Sequence, residues 1–122
     1  MPYTEHCKND MLAAKTAGTA PKAIDRVSLH TAEPSESGSN EVAGGEYARQ
    51  KIEWNSPSAG SVDDKTNGAV FKVPAKTTVK FVGFWSDASG TPKFEAWKEV
   101  TEEAFNGAGE YTLTDADLDL NK

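Results

Sequence analysis

Thr77-Thr78-Val79-Lys80-Phe81-Val82-Gly83-Phe84-Trp85 is the stretch that decides the fold. β-Branched and aromatic side chains dominate it, and these suit a pleated, packed surface. Its apolar residues fall on both faces, so a position in the middle of a sheet is expected. Upstream, Ala69, Phe71 and Val73 alternate with Val70 and Lys72 until Pro74 removes a backbone donor, which predicts a strand ending at the proline. Downstream, residues 86–92 carry turn formers, Phe94 to Trp97 alternates again, and Tyr111-Thr112-Leu113 follows the breaker Asn106-Gly107-Ala108-Gly109.

Further out, Val27, Leu29 and Thr31 alternate with Arg26, Ser28 and His30, the period of two that marks a strand with one buried face. On this reading Ser28 and His30 look to solvent. Residues 33–45 hold Pro, Gly, Ser and Asn with almost nothing to bury, which predicts a long exposed loop. Tyr47 to Trp54 reads as an extended segment closed by turn formers at residues 55–61, and residues 63–68 offer another turn. Residues 99–105 read either as a helical turn capped at Thr101 or as a loop. At the other end, Asn9 as a cap, helix formers at residues 10–17 and Gly18 predict one short helix, which packing must hold because it is too short to be stable alone.

Short strands separated by turn signals, without long amphipathic helices between them, indicate a mainly β fold: an antiparallel β-sandwich or barrel-like domain with one short N-terminal helix. The expected division is residues 1–22 as N-terminal helix and linker and residues 23–122 as the β domain, in a single globular unit. An apolar fraction of 37% with three Trp, five Phe and three Tyr supplies a core that a disordered chain would lack.

Thirteen basic against nineteen acidic side chains, a net charge of −6, argue against nucleic acid as a partner, since phosphate contacts supply most of that affinity. No apolar run is long enough for membrane insertion, and no secretory leader is seen, so a soluble protein made in the cytoplasm is expected. Cys7 has no internal partner, and one Cys with two His cannot supply the four N or S ligands of a structural zinc site. Neither a metal nor a cofactor is therefore expected.

No constellation reads as catalytic. His30 beside Thr31 and Glu33 lacks an orienting third group and an oxyanion-hole signature. Asp115, Asp117 and Asp119 alternate as in the start of a calcium loop, but Leu120 stands where the glycine is required; a terminal strand with Leu118 and Leu120 turned inward fits better. Gly44-Gly45 opens no helix and so makes no phosphate loop. Trp54, Trp85 and Trp97 sit in strand patterns where core packing is the commoner task than sugar stacking.

Two blocks carry a resemblance. Val27-Ser28-Leu29-His30-Thr31-Ala32-Glu33-Pro34, then Gly38-Ser39-Asn40-Glu41-Val42, then Gly44-Gly45-Glu46-Tyr47-Ala48-Arg49-Gln50, followed by residues 69–85, resemble a small tailed-phage virion protein family usually labelled tail fibre or minor tail protein. A weaker likeness continues through residues 105–113. The resemblance implies a non-enzymatic structural protein, exposed on the virion surface and assembled on the tail or its appendages. A capsid (head) decoration protein stabilising the shell is the alternative that a small acidic domain also suits. A receptor- or carbohydrate-binding module at the tail tip is the second alternative, and a cell-envelope hydrolase has no acid/base pair to support it. Expected partners are other virion proteins, tail or major capsid, with self-association set by particle symmetry. Assembly would occur in the host cytoplasm.

Within the blocks, Arg49 can pair with Glu41 or Glu46 across the base of the loop, while Tyr47 buries its ring and offers its hydroxyl to backbone. These four residues are the expected loop anchors, the alternative for the Tyr-Ala-Arg unit being an edge-strand surface patch. Glu33, Pro34, Asn40, Gly44 and Gly45 form the candidate contact loop.

Overall fold

The computed structural model describes residues 2–65, 69–87, 91–113 and 116–120. Among them run one helix and eight strands: α1 (Glu5–Ala17), β1 (Arg26–His30), β2 (Gln50–Lys51), β3 (Ser61–Asp63), β4 (Ala69–Val73), β5 (Thr77–Ser86), β6 (Lys93–Phe105), β7 (Gly109–Leu113) and β8 (Asp117–Asp119). A four-stranded sheet has the order β2-β1-β5-β6, and β3-β8 and β4-β7 form two-stranded sheets. Every pairing is antiparallel. The chain is mainly β, packed as a sandwich, with no closed barrel among the described residues.

Register explains why the 77–86 stretch is central. Val27 pairs with Phe84 and Leu29 with Val82, while Phe84 also pairs with Ala96, so these residues share one face. Over that face the β4-β7 pair lays Phe71, Val73, Tyr111 and Leu113, giving the main core together with Val42, Ile52 and Val79. Burying one such side chain contributes about 1.5–3 kcal/mol, and this face carries most of the buried apolar side chains among the described residues. Along β4, Val70 and Lys72 point outward, in keeping with the alternation.

The opposite face differs from the sequence expectation. Ser28 and His30 are fully buried instead of facing solvent, because Trp85, Phe94 and Trp97 gather there as a second cluster and residues 34–39 fold over it. A bulge makes this possible. Phe84 pairs with Ala96 but Trp85 with Phe94, which leaves Glu95 as the extra residue and turns Phe94 to the second face while Ala96 stays on the first.

Residues 99–105, open between helical turn and loop in the sequence, are strand. Thr77, Thr78 and Val79 supply their partners at Phe105, Ala104 and Glu103, and long-range pairing overrides weak local preference. The extended segment expected from Tyr47 to Trp54 is strand only at Gln50–Lys51, since side chains rather than a ladder hold Tyr47 and Arg49.

Helix α1 starts earlier than Asn9. The Thr4 side chain accepts a hydrogen bond from the Cys7 amide at 3.2 Å, and Gly18 ends the helix in the left-handed region. The residues before it extend the sheet: Thr4 N–H donates to the Glu95 carbonyl and Trp97 N–H to the Pro2 carbonyl. Tyr3 and Cys7 thereby enter the main core. At the other end Leu118 is half-buried opposite Val62, but Leu120 is 58% exposed, not inward: its amide still bonds the Gly60 carbonyl, and its side chain lies at the rim of an open cleft. Residues 66–68 and 88–90 of two expected turns, and Asp115, lie outside the described residues.

Candidate functional site

The surface feature with the most organised support is the segment from Thr31 to Arg49. It leaves β1 and is tied back to it: Val42 N–H donates to the Leu29 carbonyl and Thr31 N–H to the Asn40 carbonyl, both at 2.9 Å. Ser39 donates to the Pro34 carbonyl through its amide and its hydroxyl, and the Asn40 amide group donates to the Glu33 carbonyl. Loops whose backbone groups find internal partners hold one conformation without a ladder.

Beneath the loop a directed hydrogen-bond chain crosses the second face. His30 Nδ1 lies 2.8 Å from the Ser39 carbonyl, which can only accept, so Nδ1 carries the proton. Its Nε2 then accepts from the Ser28 hydroxyl at 2.6 Å, and Ser28 Oγ accepts from the Trp85 indole N–H at 2.8 Å. Burial, opposed by the Ser39 carbonyl and Glu41 and aided by Arg49, holds the His30 pKa below its ordinary value, so the ring stays neutral. A serine and a histidine at this distance invite comparison with a nucleophile and its base. Both are 0% exposed and the hydroxyl is already engaged by Trp85, so no substrate reaches them.

Gly38 seats the loop on this cluster. Its φ is +71°, and a Cβ there would fall 2.7 Å from the Trp85 ring. Only glycine meets both demands.

At the loop base Arg49 donates from Nε to Glu41 Oε2 at 3.0 Å and from Nη2 to Oε1 at 2.9 Å, a two-pronged pair. Its guanidinium carbon also lies over the Trp85 ring. The Tyr47 hydroxyl donates to Glu41 Oε2 and accepts from the Leu29 amide, and its ring stacks on Phe71. Burial raises the Glu41 pKa, but the hydrogen bonds from Arg49 and Tyr47 and the nearby positive charge outweigh it and hold the carboxyl below its usual range. For Tyr47, burial and the Glu41 carboxylate push the pKa up.

Of the expected anchors, Tyr47, Arg49 and Glu41 therefore meet, and Glu46 does not: it is exposed and near Lys72. In the candidate contact loop Glu33, Asn40, Gly44 and Gly45 are exposed, whereas Pro34 is buried and faces inward. Sequence reasoning missed Ser28, His30, Gly38 and Trp85. The one local signal was Ser28 and His30 sharing a face, and its meaning depends on hydrogen-bond partners 9 to 57 residues away. Trp85 and Trp97 are 8% exposed, and half-buried Trp54 donates its N–H to the Ile24 carbonyl, so the three indoles offer no stacking platform.

No helix among the described residues is long and apolar enough to cross a membrane. No curated protein matches the chain. A family model does, over residues 2–119, and its description is Podophage GP4 fiber I protein gp80. With helix, both sheet faces and anchored loop all inside the matched span, the chain belongs to this family of phage fibre proteins.

Proposed function

We propose that the chain is a non-enzymatic structural protein exposed on the surface of a tailed-phage virion, carried by the tail or its appendages. The observation that carries this reading is the fibre-family match across nearly the whole chain, which favours the tail over the head. The 27–50 and 69–85 blocks, with their likeness to tail fibre and minor tail proteins, point the same way. In this role Glu41, Tyr47 and Arg49 are loop anchors, and the loop presents Glu33, Asn40, Gly44 and Gly45 to a neighbouring virion protein. A loop already held in one conformation loses little entropy on docking. The net charge of −6 favours a partner face carrying Lys or Arg.

Cryo-electron microscopy of intact particles tests the assignment. Density fitting this domain on the tail or its fibres is the expected result, and density over the capsid lattice would overturn it in favour of a decoration protein.

A further inference from the structure

We propose that His6, Asp10 and Glu95 bind a divalent first-row transition-metal ion, with Zn²⁺ the best fit, and that this ion clamps helix α1 to strand β6. Because Thr4 caps the helix, His6 and Asp10 lie one turn apart on the same side of α1. The bulge in β6 brings the Glu95 carboxylate to them from the sheet. His6 Nε2 is 3.2 Å from Asp10 Oδ2 and 3.1 Å from Glu95 Oε2, and the three donor atoms all lie within 4.8 Å of one another. An ion about 2.0–2.2 Å from each ligand requires neighbouring ligand atoms about 3.0–3.5 Å apart, which is the spacing of both His6 pairs.

Charge points the same way. The Glu95 side chain is 4% exposed, yet among the described residues no Lys or Arg nitrogen comes within 4.0 Å of it or of Asp10. A buried carboxylate needs a counter-charge, and a divalent ion balances two carboxylates beside a neutral imidazole. The positive end of the helix dipole opposes a cation here, but two full negative charges outweigh it.

The site is also held in place. Glu95 Oε2 accepts from the Ser86 hydroxyl at 2.8 Å, and the Glu95 carbonyl accepts from the Thr4 amide, so both carboxylate and backbone are oriented before any ion arrives. Asp10 and Glu95 border an open cleft of about 440 Å³, through which water can complete the coordination. Nitrogen and sulfur donors alone are too few here for a structural zinc site. This set uses two carboxylates, one of them 85 residues from its nearest ligand in the chain.

The alternative is a protonated His6 bridging two carboxylates without metal. Full-length, tag-free protein stripped with chelator is titrated with Co²⁺, read by visible absorption, and with Zn²⁺, read by calorimetry and thermal melting. One saturable equivalent with micromolar or tighter affinity is expected, and excess Zn²⁺ raises Tm by about 5 °C or more. His6→Ala and Asp10→Asn change half-exposed residues, so both variants fold; each weakens binding at least tenfold and the double variant abolishes it. Absence of a saturable cobalt spectrum, or unchanged affinity in the double variant, would overturn the proposal and leave an ion-paired cluster.

Discussion

The guanidinium carbon of Arg49 lies 3.6 Å from the centroid of the Trp85 ring. One side chain thus joins the loop base at Glu41 to the aromatic cluster on which the loop rests. Anchor and platform are mechanically one unit, and four predictions follow from how that unit and the sheet beneath it are built.

Arg49→Ala removes a two-pronged pair and a cation–π contact while leaving Glu41 half-buried. The expected loss is about 2 kcal/mol, discounted because both partners are partly exposed. Arg49→Lys keeps charge but not the fork, and should recover no more than about half of this loss. Urea midpoints at constant m-value measure both.

Gly83→Ala should destabilise by about 2–4 kcal/mol, although alanine is otherwise tolerated in strands. A Cβ at Gly83 would sit 2.6 Å from Phe94, 2.7 Å from His30 Nε2 and 2.7 Å from Ser28 Oγ, three groups packed at the centre of the second face. A loss below about 0.5 kcal/mol in denaturant unfolding would mean the second face is looser than described.

Stability should fall with acid in two steps of the same sign. His30 has a folded pKa below 6.5, so between the two values the unfolded chain binds more protons; its contribution is intact above 6.5 and lost as pH falls towards the folded value. Glu41 has a folded pKa below 4.5, so its contribution is present above 4.5 and lost on further acidification. Replacing His30 with Asn should lower stability at neutral pH and flatten the first step only. Unfolding midpoints measured from about pH 7.5 to pH 3.5 separate the two.

On β4, Phe71→Ala should cost about 3–5 kcal/mol and Val70→Thr less than about 0.5 kcal/mol. Phe71 is 0% exposed and Val70 47% exposed, one residue apart. Thermal melts of the two variants check the facing of the whole β4-β7 layer.

Much of the architecture was legible because it follows from local patterns. The 77–85 stretch, the stop at Pro74 and the glycine after residue 17 each act through neighbouring residues, and a short-range rule reads them. Pairing Arg49 with a carboxylate was readable too, but choosing Glu41 over Glu46 required knowing that the loop turns back along β1.

By itself, then, the sequence determined a mainly β chain with one short helix, a strand-rich centre and a polar loop between two strands, since backbone preference and side-chain period are local properties. Only the tertiary structure decided that both sides of β1 are buried, that residues 99–105 are strand, and that His6, Asp10 and Glu95 meet. Each of these depends on what arrives from far along the chain: Trp85 and Phe94 cover His30, Thr77 to Val79 pair with residues 103–105, and a single extra residue at Glu95 turns a carboxylate towards the helix. Free energy in such places comes from burial and pairing between distant segments, and no window of neighbouring residues contains it.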